Sequence, residues 1–411
     1  MEEIRSLLWL VMVLGAGNPQ IWTLLHRYET PEAACAALKR PDAAEKLHLP
    51  AHVWRRVRDT GEAQVEEMLE RCSRLQISLL WYGDAAYPEA LLSIVNPPVI
   101  LFYQGNLTLL REHLLLTVVG TRNPSEYSLC VEKAICRDLV LLDFVPATGF
   151  AVGADITANL CAAEAGKPSI AVMGCGLDVP YPGPNVGYKQ NILDTGGLLL
   201  SELLPGTAPS RSSFPMRNRI LSGISMGTFV VQAPARSGAL ITAEYAMEQG
   251  RDVFCVPPAD LFDKRYMGVI KYLRDGAIPV FDSRDIIYEY YTSHAHMIAA
   301  SALYAENRRK SGSLVMELDE KKAAAAPQKS SAAKPEPVLE TVPPEPAVSD
   351  EALPEGLARE VAALLRQQTV MHMDQIAAEL DAPMEELTTV LTELELYGAV
   401  ERLPGKQFRI L

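Results

Sequence analysis

The stretch that decides the fold is LTVVGTRNPSEYSLCVEKAICRDLVLLDFVPATGF, from Leu116 to Phe150. It begins with a largely apolar run, passes through a glycine turn, continues as a helical pattern in EKAICRDLVLL and ends in a second apolar run. Apolar runs without polar alternation are typical of strands that are buried on both faces. A strand, a helix and a second strand in this order predict one crossover unit of a parallel sheet.

The same alternation of strands and helices continues as far as Val280. The later strand-like runs are SIAVMG, LLLSEL, TFVVQA, DVFCVP and AIPVFD, and helical patterns such as DITANLCAAEAG and ALITAEYAMEQG lie between them. The pattern predicts an α/β fold with a Rossmann-like, doubly wound and mostly parallel sheet. In such a sheet the loops after the strands meet at the carboxyl edge, where we expect a ligand.

The whole chain divides into four predicted segments. They are a helical N-terminal module (1–75), the Rossmann-like core (76–290, with an extended lead-in at 76–110), the end of a helix with a Pro/Ala-rich linker (291–354) and a winged-helix-like domain (355–411). The sequence from Ala323 to Pro354 contains seven prolines and no aromatic residue, which is typical of an extended tether. Three helical patterns and two short strands after it predict the winged helix.

The N-terminal module contains a GAGNP turn between two helical stretches. It resembles a helix-hairpin-helix or SAM-like module, in which a glycine turn presents backbone N–H groups to DNA phosphate. The alternative is a helical cap on the next domain. No Lys or Arg lies between Arg5 and Arg27, which favours the cap or a protein-contact role.

Composition excludes several classes of protein. The 411-residue chain has a net charge of −13, which argues against a protein that coats nucleic acid nonspecifically. Seven scattered cysteines without CxxC, and the lack of HExxH, predict neither a disulfide framework nor a metal site. The longest apolar run, Leu7 to Gly17, is about half a membrane span and follows no basic segment. We therefore expect a soluble cytoplasmic protein with no membrane contact and no cofactor.

The loop after the first core strand carries small and anion-binding residues. VVGTRNPSEYS places Gly120 in a tight turn, Thr121 and Arg122 in the crevice, and Ser125 at the start of the next helix. Small residues and free N–H groups at helix N-termini suit phosphate. The loop matches neither GxGxxG with a downstream acid nor GxxxxGK[ST]. Dinucleotide binding and P-loop NTPase activity are therefore disfavoured.

The 41 residues from Leu203 to Ala243 contain no Asp or Glu. The four arginines of this window are Arg211, Arg217, Arg219 and Arg236. FPMRNR comes just before an apolar helical stretch, so Arg217, Asn218 and Arg219 are expected near a helix start. There the helix macrodipole, the guanidinium groups and an amide together bind phosphate oxygens. In an acidic chain this window predicts a local positive site.

A conventional active site is hard to assemble from this sequence. It offers no evident Ser–His pair and no paired catalytic carboxylates. Glu202 follows a strand and Glu244 opens a helical pattern, and either is expected to be solvated or capping rather than a base. Cys161, Cys175 and Cys255 lie in apolar surroundings and are expected to pack in the core. We expect no catalytic residues and no enzymatic activity.

Taken together, these strings resemble the DNA-processing protein A (DprA, also called Smf) family. The similar motifs, in chain order, are VGTR, TGFAVGAD, GLDVPYPGPN, LLSELLPGTAP, FPMRNRILSG, ARSGALITAEYA and GRDVFCVP. The resemblance implies a homodimeric protein that binds and protects single-stranded DNA and helps load the RecA recombinase in natural transformation. By motif match, Arg122 and the FPMRNR residues Arg217, Asn218 and Arg219 line the DNA groove.

Some positions depart from the family pattern. The lysine usual in the YPxxN segment is missing, because Gly183 and Pro184 stand there, and Lys189 is expected to replace it. Arg236 and Ser237 of the ARSG motif are also expected to contact nucleic acid. The alternative function is a nucleotide or phosphoribosyl hydrolase, because such hydrolases share a similar Rossmann core. Their GG-x-GT-x-x-E loop is replaced here by ARSGALITAE, which disfavours the enzyme.

The C-terminal segment is the most acidic part of the chain. Residues 351–411 contain 11 acidic and 5 basic side chains, and no Lys or Arg lies between Gln367 and Glu401. Carboxylates repel the phosphates of a nucleic acid. We therefore expect the winged helix to be a protein-contact or regulatory module and not part of the DNA site. The alternative is that the wing alone binds DNA through Arg402, Lys406 and Arg409.

Overall fold

The computed structural model describes residues 2–43, 47, 49–294, 357–367, 371–380, 382–383, 387, 390–391, 394, 400–403 and 407–410. The chain forms two compact units, Met1–Ala326 and Pro327–Leu411. The predicted linker segment, 291–354, lies outside the described residues apart from 291–294, which end a helix.

The first unit is built around a nine-stranded sheet. Its strands are β1 (Ser78–Trp81), β2 (Ile100–Gly105), β3 (Leu114–Val119), β4 (Phe144–Thr148), β5 (Ile170–Met173), β6 (Leu198–Ser201), β7 (Gly227–Val230), β8 (Asp252–Cys255) and β9 (Ile278–Pro279). Their order is β1-β2-β6-β5-β4-β3-β7-β8-β9. The seven predicted core strands are present as β3 to β9, and neighbours among them are parallel. The predicted α/β fold is confirmed.

Fourteen α-helices accompany this sheet in the described part of the first unit. They are α1 (Glu2–Leu14), α2 (Gln20–Tyr28), α3 (Pro31–Leu38), α4 (Ala51–Asp59), α5 (Glu62–Arg74), α6 (Glu89–Leu92), α7 (Leu109–Glu112), α8 (Glu126–Leu141), α9 (Ala154–Glu164), α10 (Tyr188–Asp194), α11 (Ser213–Ile224), α12 (Gly238–Glu248), α13 (Met267–Arg274) and α14 (Ser283–His294). The predicted boundary at 75/76 falls in the turn between α5 and β1.

Side chains of the central strands alternate between two apolar layers. In β3, Leu115 and Val119 pack with α11, α12 and α13, whereas Leu114, Leu116 and Val118 pack with α8, α9 and α14. Because β3 is buried on both faces, its residues are apolar apart from Thr117, whose hydroxyl donates to the Leu221 carbonyl at 2.8 Å. The helices thus cover both faces and leave the strand ends to the loops.

The strand order reverses next to β3. From β3 the chain adds β4, β5 and β6 on one side, and then returns to add β7, β8 and β9 on the other. β3 and β7 pair directly, with Val119 opposite Val230 at their carboxyl ends. The loops after these two strands diverge and leave a crevice, which is the position where doubly wound folds bind ligands.

The lead-in at 76–110 is more regular than predicted. It contains β1, β2 and two single-turn helices instead of extended chain alone. β2 pairs antiparallel with β6, and β1 pairs antiparallel with β2. Because this pair closes the β6 edge of the sheet, the parallel strands there present no open edge.

The N-terminal helices share a core with the sheet. The apolar residues of α1 pack in one cluster with Phe102, Ala171, Met173 and Leu199 of the strands. The GAGNP turn also faces the sheet domain, because Asn96 Nδ2 donates to the Gly17 carbonyl at 2.7 Å. This arrangement favours the helical-cap interpretation over a turn that presents its N–H groups to DNA.

The second unit has the winged-helix pattern. Its described elements are α15 (Leu357–Gln367), α16 (Met373–Glu379) and the strands β10 (Met371–His372), β11 (Val400–Leu403) and β12 (Gln407–Ile410), which pair in the order β10-β12-β11. Where a third helix is predicted, Leu387, Leu391 and Leu394 are helical and buried in one core. Acidic residues of the same segment, among them Glu385 and Glu393, lie outside the described residues.

Candidate nucleic-acid interface

A cavity of about 410 Å³ opens at the point where the strand order reverses. The loops after β3, β4, β5 and β7 and the helices α11 and α12 form its walls. Seven of the predicted site residues line it: Gly120, Thr121, Arg122, Arg217, Asn218, Arg236 and Ser237. The structure therefore brings together two stretches of chain that the sequence analysis selected separately.

The β3 loop forms one lip of the cavity. Thr121 N donates to the Gln232 carbonyl at 2.8 Å, which ties this loop to the end of β7. Arg122 is exposed, and its guanidinium carbon lies 5.9 Å from the centre of the Phe214 ring. No ion pair joins Arg122 to a carboxylate among the residues that the structure describes. Its charge is thus available to a ligand at the cavity mouth.

The β7 loop forms the opposite lip. Arg236 is exposed, and the described ion pairs do not include it. Ser237 caps the N-terminus of α12, because its side chain accepts a hydrogen bond from Ala239 N at 3.3 Å. Arginines on two lips, with a helix N-terminus beside one of them, create a positive rim that attracts anions.

The β4 loop passes below the β3 loop at close range. Gly153 has φ +95°, and a Cβ atom there would lie 2.4 Å from the Thr121 carbonyl oxygen, so glycine alone fits. Asp155 holds the loop in place, since its carboxylate accepts hydrogen bonds from Ala151 N at 3.3 Å and from Gly149 N. Burial raises the pKa of Asp155, and nearby Arg217 opposes this shift. Asp155 therefore lines the cavity wall and stabilises the β4 loop.

Arg217 forms the floor of the cavity and is only 7% exposed. Its Nη1 donates to the carbonyls of Gly149, at 2.9 Å, and Val172, and its Nε donates to Asn218 Oδ1 at 3.0 Å. Burial lowers the pKa of the Arg217 guanidinium. This side chain lines the site as predicted, but much of its hydrogen-bonding capacity joins β5 to the β4 loop.

Arg219 has a different position from the one that the sequence predicts. It is 5% exposed, and its Nη2 donates to both carboxylate oxygens of Glu202, at 2.7 and 2.6 Å. The Gly17 backbone N–H of the N-terminal turn donates a hydrogen bond to the same carboxylate. Burial nevertheless raises the pKa of Glu202 above its usual value. Arg219 therefore does not line the cavity, and Glu202 is neither solvated nor a helix cap. Arg219 is not part of the candidate site.

Three further predicted residues lie outside the cavity lining. Lys189 Nζ donates to the carbonyls of Leu177 and Val179, at 3.0 and 2.8 Å, and so fastens the loop after β5 instead of facing a ligand. Ser125 caps α8 through Ser128 N at 3.2 Å. Arg211 is exposed just before α11. Of these three, Arg211 alone offers a cation that can reach a longer ligand.

The sequence analysis missed two aromatic residues in the cavity wall. Phe214 and Tyr181 both line it, and their ring centres are 5.6 Å apart. Phe214 belongs to FPMRNR and Tyr181 to YPGPN, but the prediction of a phosphate site rested on the charged and amide residues of the sequence. Phe214 stands three residues before Arg217, and an aromatic residue so close to a predicted phosphate-binding arginine was a signal that could have found it. Tyr181 has no arginine beside it, and no comparable signal marks it.

The remaining candidates for chemistry have structural positions. Cys161, Cys175 and Cys255 are buried, as predicted, and burial raises the pKa of Cys161 to about 11 and of Cys255 to about 12. Glu244 is exposed in the middle of α12. Within the described ranges no three His, Cys, Asp or Glu side chains form a metal-binding group, and none of the helices there could cross a membrane.

Two family models match this chain. The model of the DNA recombination-mediator protein A family matches residues 78–291, and that of the DprA winged helix domain matches residues 322–406. The chain belongs to the DNA recombination-mediator protein A family. Membership confirms the predicted family and the predicted role in DNA processing, and the second match confirms the winged helix.

Individual relatives agree with this assignment. The DNA processing protein DprA of Bacillus subtilis is 39% identical over 213 residues, which are 52% of this chain and 71% of the relative. Protein Smf of Synechocystis is 29% identical over 416 residues and matches 99% and 98% of the two chains. The X-ray structure of DNA processing protein A from Streptococcus pneumoniae has a TM-score of 0.60 and 32% identity, covering 69% of this chain and 97% of that one.

Proposed function

We propose that this chain is a non-enzymatic protein that binds single-stranded DNA in the cavity at the β3–β7 crevice. The observation that carries the proposal is the combination of exposed arginines on two lips, Arg122 and Arg236, with an aromatic wall below them. Arginine and helix N-termini bind phosphate, and aromatic rings stack on bases. Single-stranded nucleic acid offers both groups at once.

The rim suits the phosphate backbone. Arg122 and Arg236 present forked donors, which bind phosphate oxygens in pairs. Arg211 extends the positive surface beyond the cavity. Backbone contacts of this kind carry little sequence information, so we expect weak base specificity.

The cavity suits one unstacked base. Its aromatic wall of Phe214 and Tyr181 offers a π-face that any base can use. A base inside a duplex is stacked and paired on both sides, and it would have to leave the helix to enter. This difference favours single-stranded over double-stranded DNA.

The partners follow from the family. A recombination mediator acts between single-stranded DNA and a recombinase, so we propose that the bound strand is protected and passed to RecA during natural transformation. We also propose a homodimer and a cytoplasmic location, where the strand and the recombinase meet. These proposals rest on the membership of the family described above and on the predicted DNA site.

The hydrolase alternative finds less support in the cavity. Asp155 is the one carboxylate among its lining residues, and it already accepts two backbone hydrogen bonds. No histidine occurs among those residues, and a general acid and a general base would both be needed within about 3 Å of the reacting bond. Release of free base from nucleoside monophosphates would favour the hydrolase instead.

The experiment that tests the proposal is a titration of the full chain with labelled oligo-dT and with the matched duplex, read by fluorescence anisotropy. We expect the single strand to bind at least tenfold more tightly than the duplex, and no base release from nucleoside monophosphates in a parallel assay. Equal affinity for both DNAs, or no binding of the single strand, would contradict the proposed function.

A further inference from the structure

Two loops next to the cavity are joined to each other by hydrogen bonds. One is the loop after β5, residues 176–182, and the other is the loop after β6, residues 202–212. Gly176 N donates to the Thr207 carbonyl at 2.9 Å, and Gly206 N donates to Asp178 Oδ1 at 2.7 Å. The two loops therefore form one connected surface.

This surface positions the aromatic wall of the cavity. Tyr181 stands at the end of the first loop, and its backbone N–H donates to the Val179 carbonyl at 2.9 Å. Phe214 follows the second loop at the start of α11, where Ser213 Oγ donates to the Gly174 carbonyl at 2.7 Å. A shift of either loop would move one of the two rings that face the cavity.

An arginine of the N-terminal module reaches this surface. Arg71, on α5, donates through Nη2 to Asp178 Oδ2 at 2.7 Å, and the Asp178 side chain is 14% exposed. Burial alone would favour the protonated carboxyl, but hydrogen bonds from Gly206 N and Arg71 outweigh it and lower the pKa of Asp178. Asp178 thus joins the module to both loops through one carboxylate.

The module makes a second contact with the same region. Its GAGNP turn places Gly17 against Met216, two residues after Phe214, and the Gly17 N–H binds Glu202 at the start of the second loop. The two contacts come from opposite ends of the module, α5 and the α1–α2 turn. Both end on the loops that carry the aromatic wall.

We propose that Arg71 is a positioning residue for the DNA cavity, and that the N-terminal helical module shapes this cavity through the Arg71–Asp178 contact instead of binding DNA itself. The proposal deepens the proposed function and rests on it. It gives the module a task that the sequence pattern does not predict.

The competing explanation is that Arg71 touches DNA phosphate directly, since its side chain is 42% exposed. The two explanations predict opposite effects for Asp178→Asn. This substitution turns one carboxylate oxygen into an amide N–H₂ group, which repels the guanidinium and releases it. A released positioning residue weakens DNA binding, whereas a released phosphate ligand strengthens it by removing a competing negative charge.

The salt dependence of binding gives a second distinction. Each phosphate that a protein neutralises on a single strand adds about 0.7 to the slope of log affinity against log salt. If Arg71 acts through the loops, the slope of Arg71→Ala equals that of the wild type. If Arg71 binds phosphate, its removal lowers the slope by about 0.7.

The test uses the full chain with Arg71→Ala, Asp178→Asn and the double variant, each titrated with oligo-dT at several salt concentrations. We expect both single variants to bind roughly fivefold to twentyfold more weakly with an unchanged slope, and the double variant to be no weaker than the worse single variant. The matched control is Arg5→Ala, which removes an exposed ion pair with Glu66 elsewhere in the module and should stay within about twofold of the wild type.

Three results overturn the proposal. They are tighter binding by Asp178→Asn, a slope lowered by about 0.7 in Arg71→Ala, or unchanged affinity in both single variants. Should Arg71→Ala fail to fold, Asp178→Asn decides alone, because it keeps an oxygen acceptor for Gly206 N. If the wild type does not bind oligo-dT, the proposed function fails, which is a different result from wild-type binding that ignores Arg71.

Discussion

The rim of the cavity and the buried side chains of α11 both include arginines, but the arginines of the two regions have different partners. Arg122 and Arg236 on the rim are exposed and have no ion pair among the described residues. Arg217 and Arg219 in the helix are buried, and carbonyls or Glu202 bind their guanidinium groups. A buried charge must find partners inside the protein, whereas an exposed one is free to serve a ligand. The number of arginines in a sequence window therefore overstates the number of ligand contacts.

The largest effect that separates the two regions is expected from Arg219→Ala. The substitution leaves the Glu202 carboxylate buried without its cation, which should cost about 3–5 kcal/mol in free energy of unfolding, measured by urea denaturation. The control is Arg219→Met together with Glu202→Gln, which removes both charges and should cost clearly less. A stable single variant that has lost DNA affinity would place Arg219 with the rim instead.

Arg122→Ala should have the opposite effect: it should weaken DNA binding and leave the stability of the fold almost unchanged. We expect single-strand affinity to fall by about 1.5–3 kcal/mol, because a charge-assisted phosphate contact is lost, while the melting temperature changes little. The matched control is Arg111→Ala, which removes an exposed arginine at the amino end of β3, at the opposite edge of the sheet. If Arg122→Ala does not fold, or if Arg122→Ala and Arg111→Ala lose the same DNA affinity, the proposed difference between rim and buried arginines is contradicted.

The aromatic wall gives the next prediction. Phe214→Ala should weaken single-strand binding by about 1–3 kcal/mol, as expected for loss of one stacked base. Phe262→Ala is the control, since this ring is 91% exposed and does not line the cavity. Full affinity after loss of Phe214 would mean that the rim alone holds the strand.

The smallest effect is expected from the acidic C-terminal unit. Deleting residues 323–411 should leave single-strand affinity within about threefold, less than about 0.7 kcal/mol, because this part of the chain adds more carboxylates than cations. The measurement is the same anisotropy titration at fixed salt. A tenfold loss on truncation would show that part of the DNA site lies in the C-terminal unit.

The sequence was sufficient for the core strands and for the rim. In a chain where apolar runs alternate with helical patterns, a run without polar alternation predicts a parallel strand that is buried on both faces. A glycine turn after such a strand places Arg122 at the carboxyl edge of the sheet. The antiparallel pair β1–β2 was harder to predict, because its strands are short and lie in a segment with several turns.

What the sequence could not show depends on contacts between distant residues. Arg219 and Glu202 stand on different elements, and no pattern links them until β6 and α11 pack together. The same holds for Lys189, whose ammonium group is used by two carbonyls of the neighbouring loop. Tyr181 and Phe214 meet only after folding, so their shared face was invisible in two separate motifs.

The central claim is that a positive rim on the Rossmann-like core binds the backbone of a single strand. It is tested most directly by oligo-dT affinity measured across a series of salt concentrations, for the wild type and for Arg122→Ala. With about four phosphates contacted, log affinity should fall against log salt with a slope of roughly −3 in the wild type, and the slope should be smaller by about 0.7 in the variant. A wild-type slope near zero, or identical slopes in the two proteins, would contradict the account.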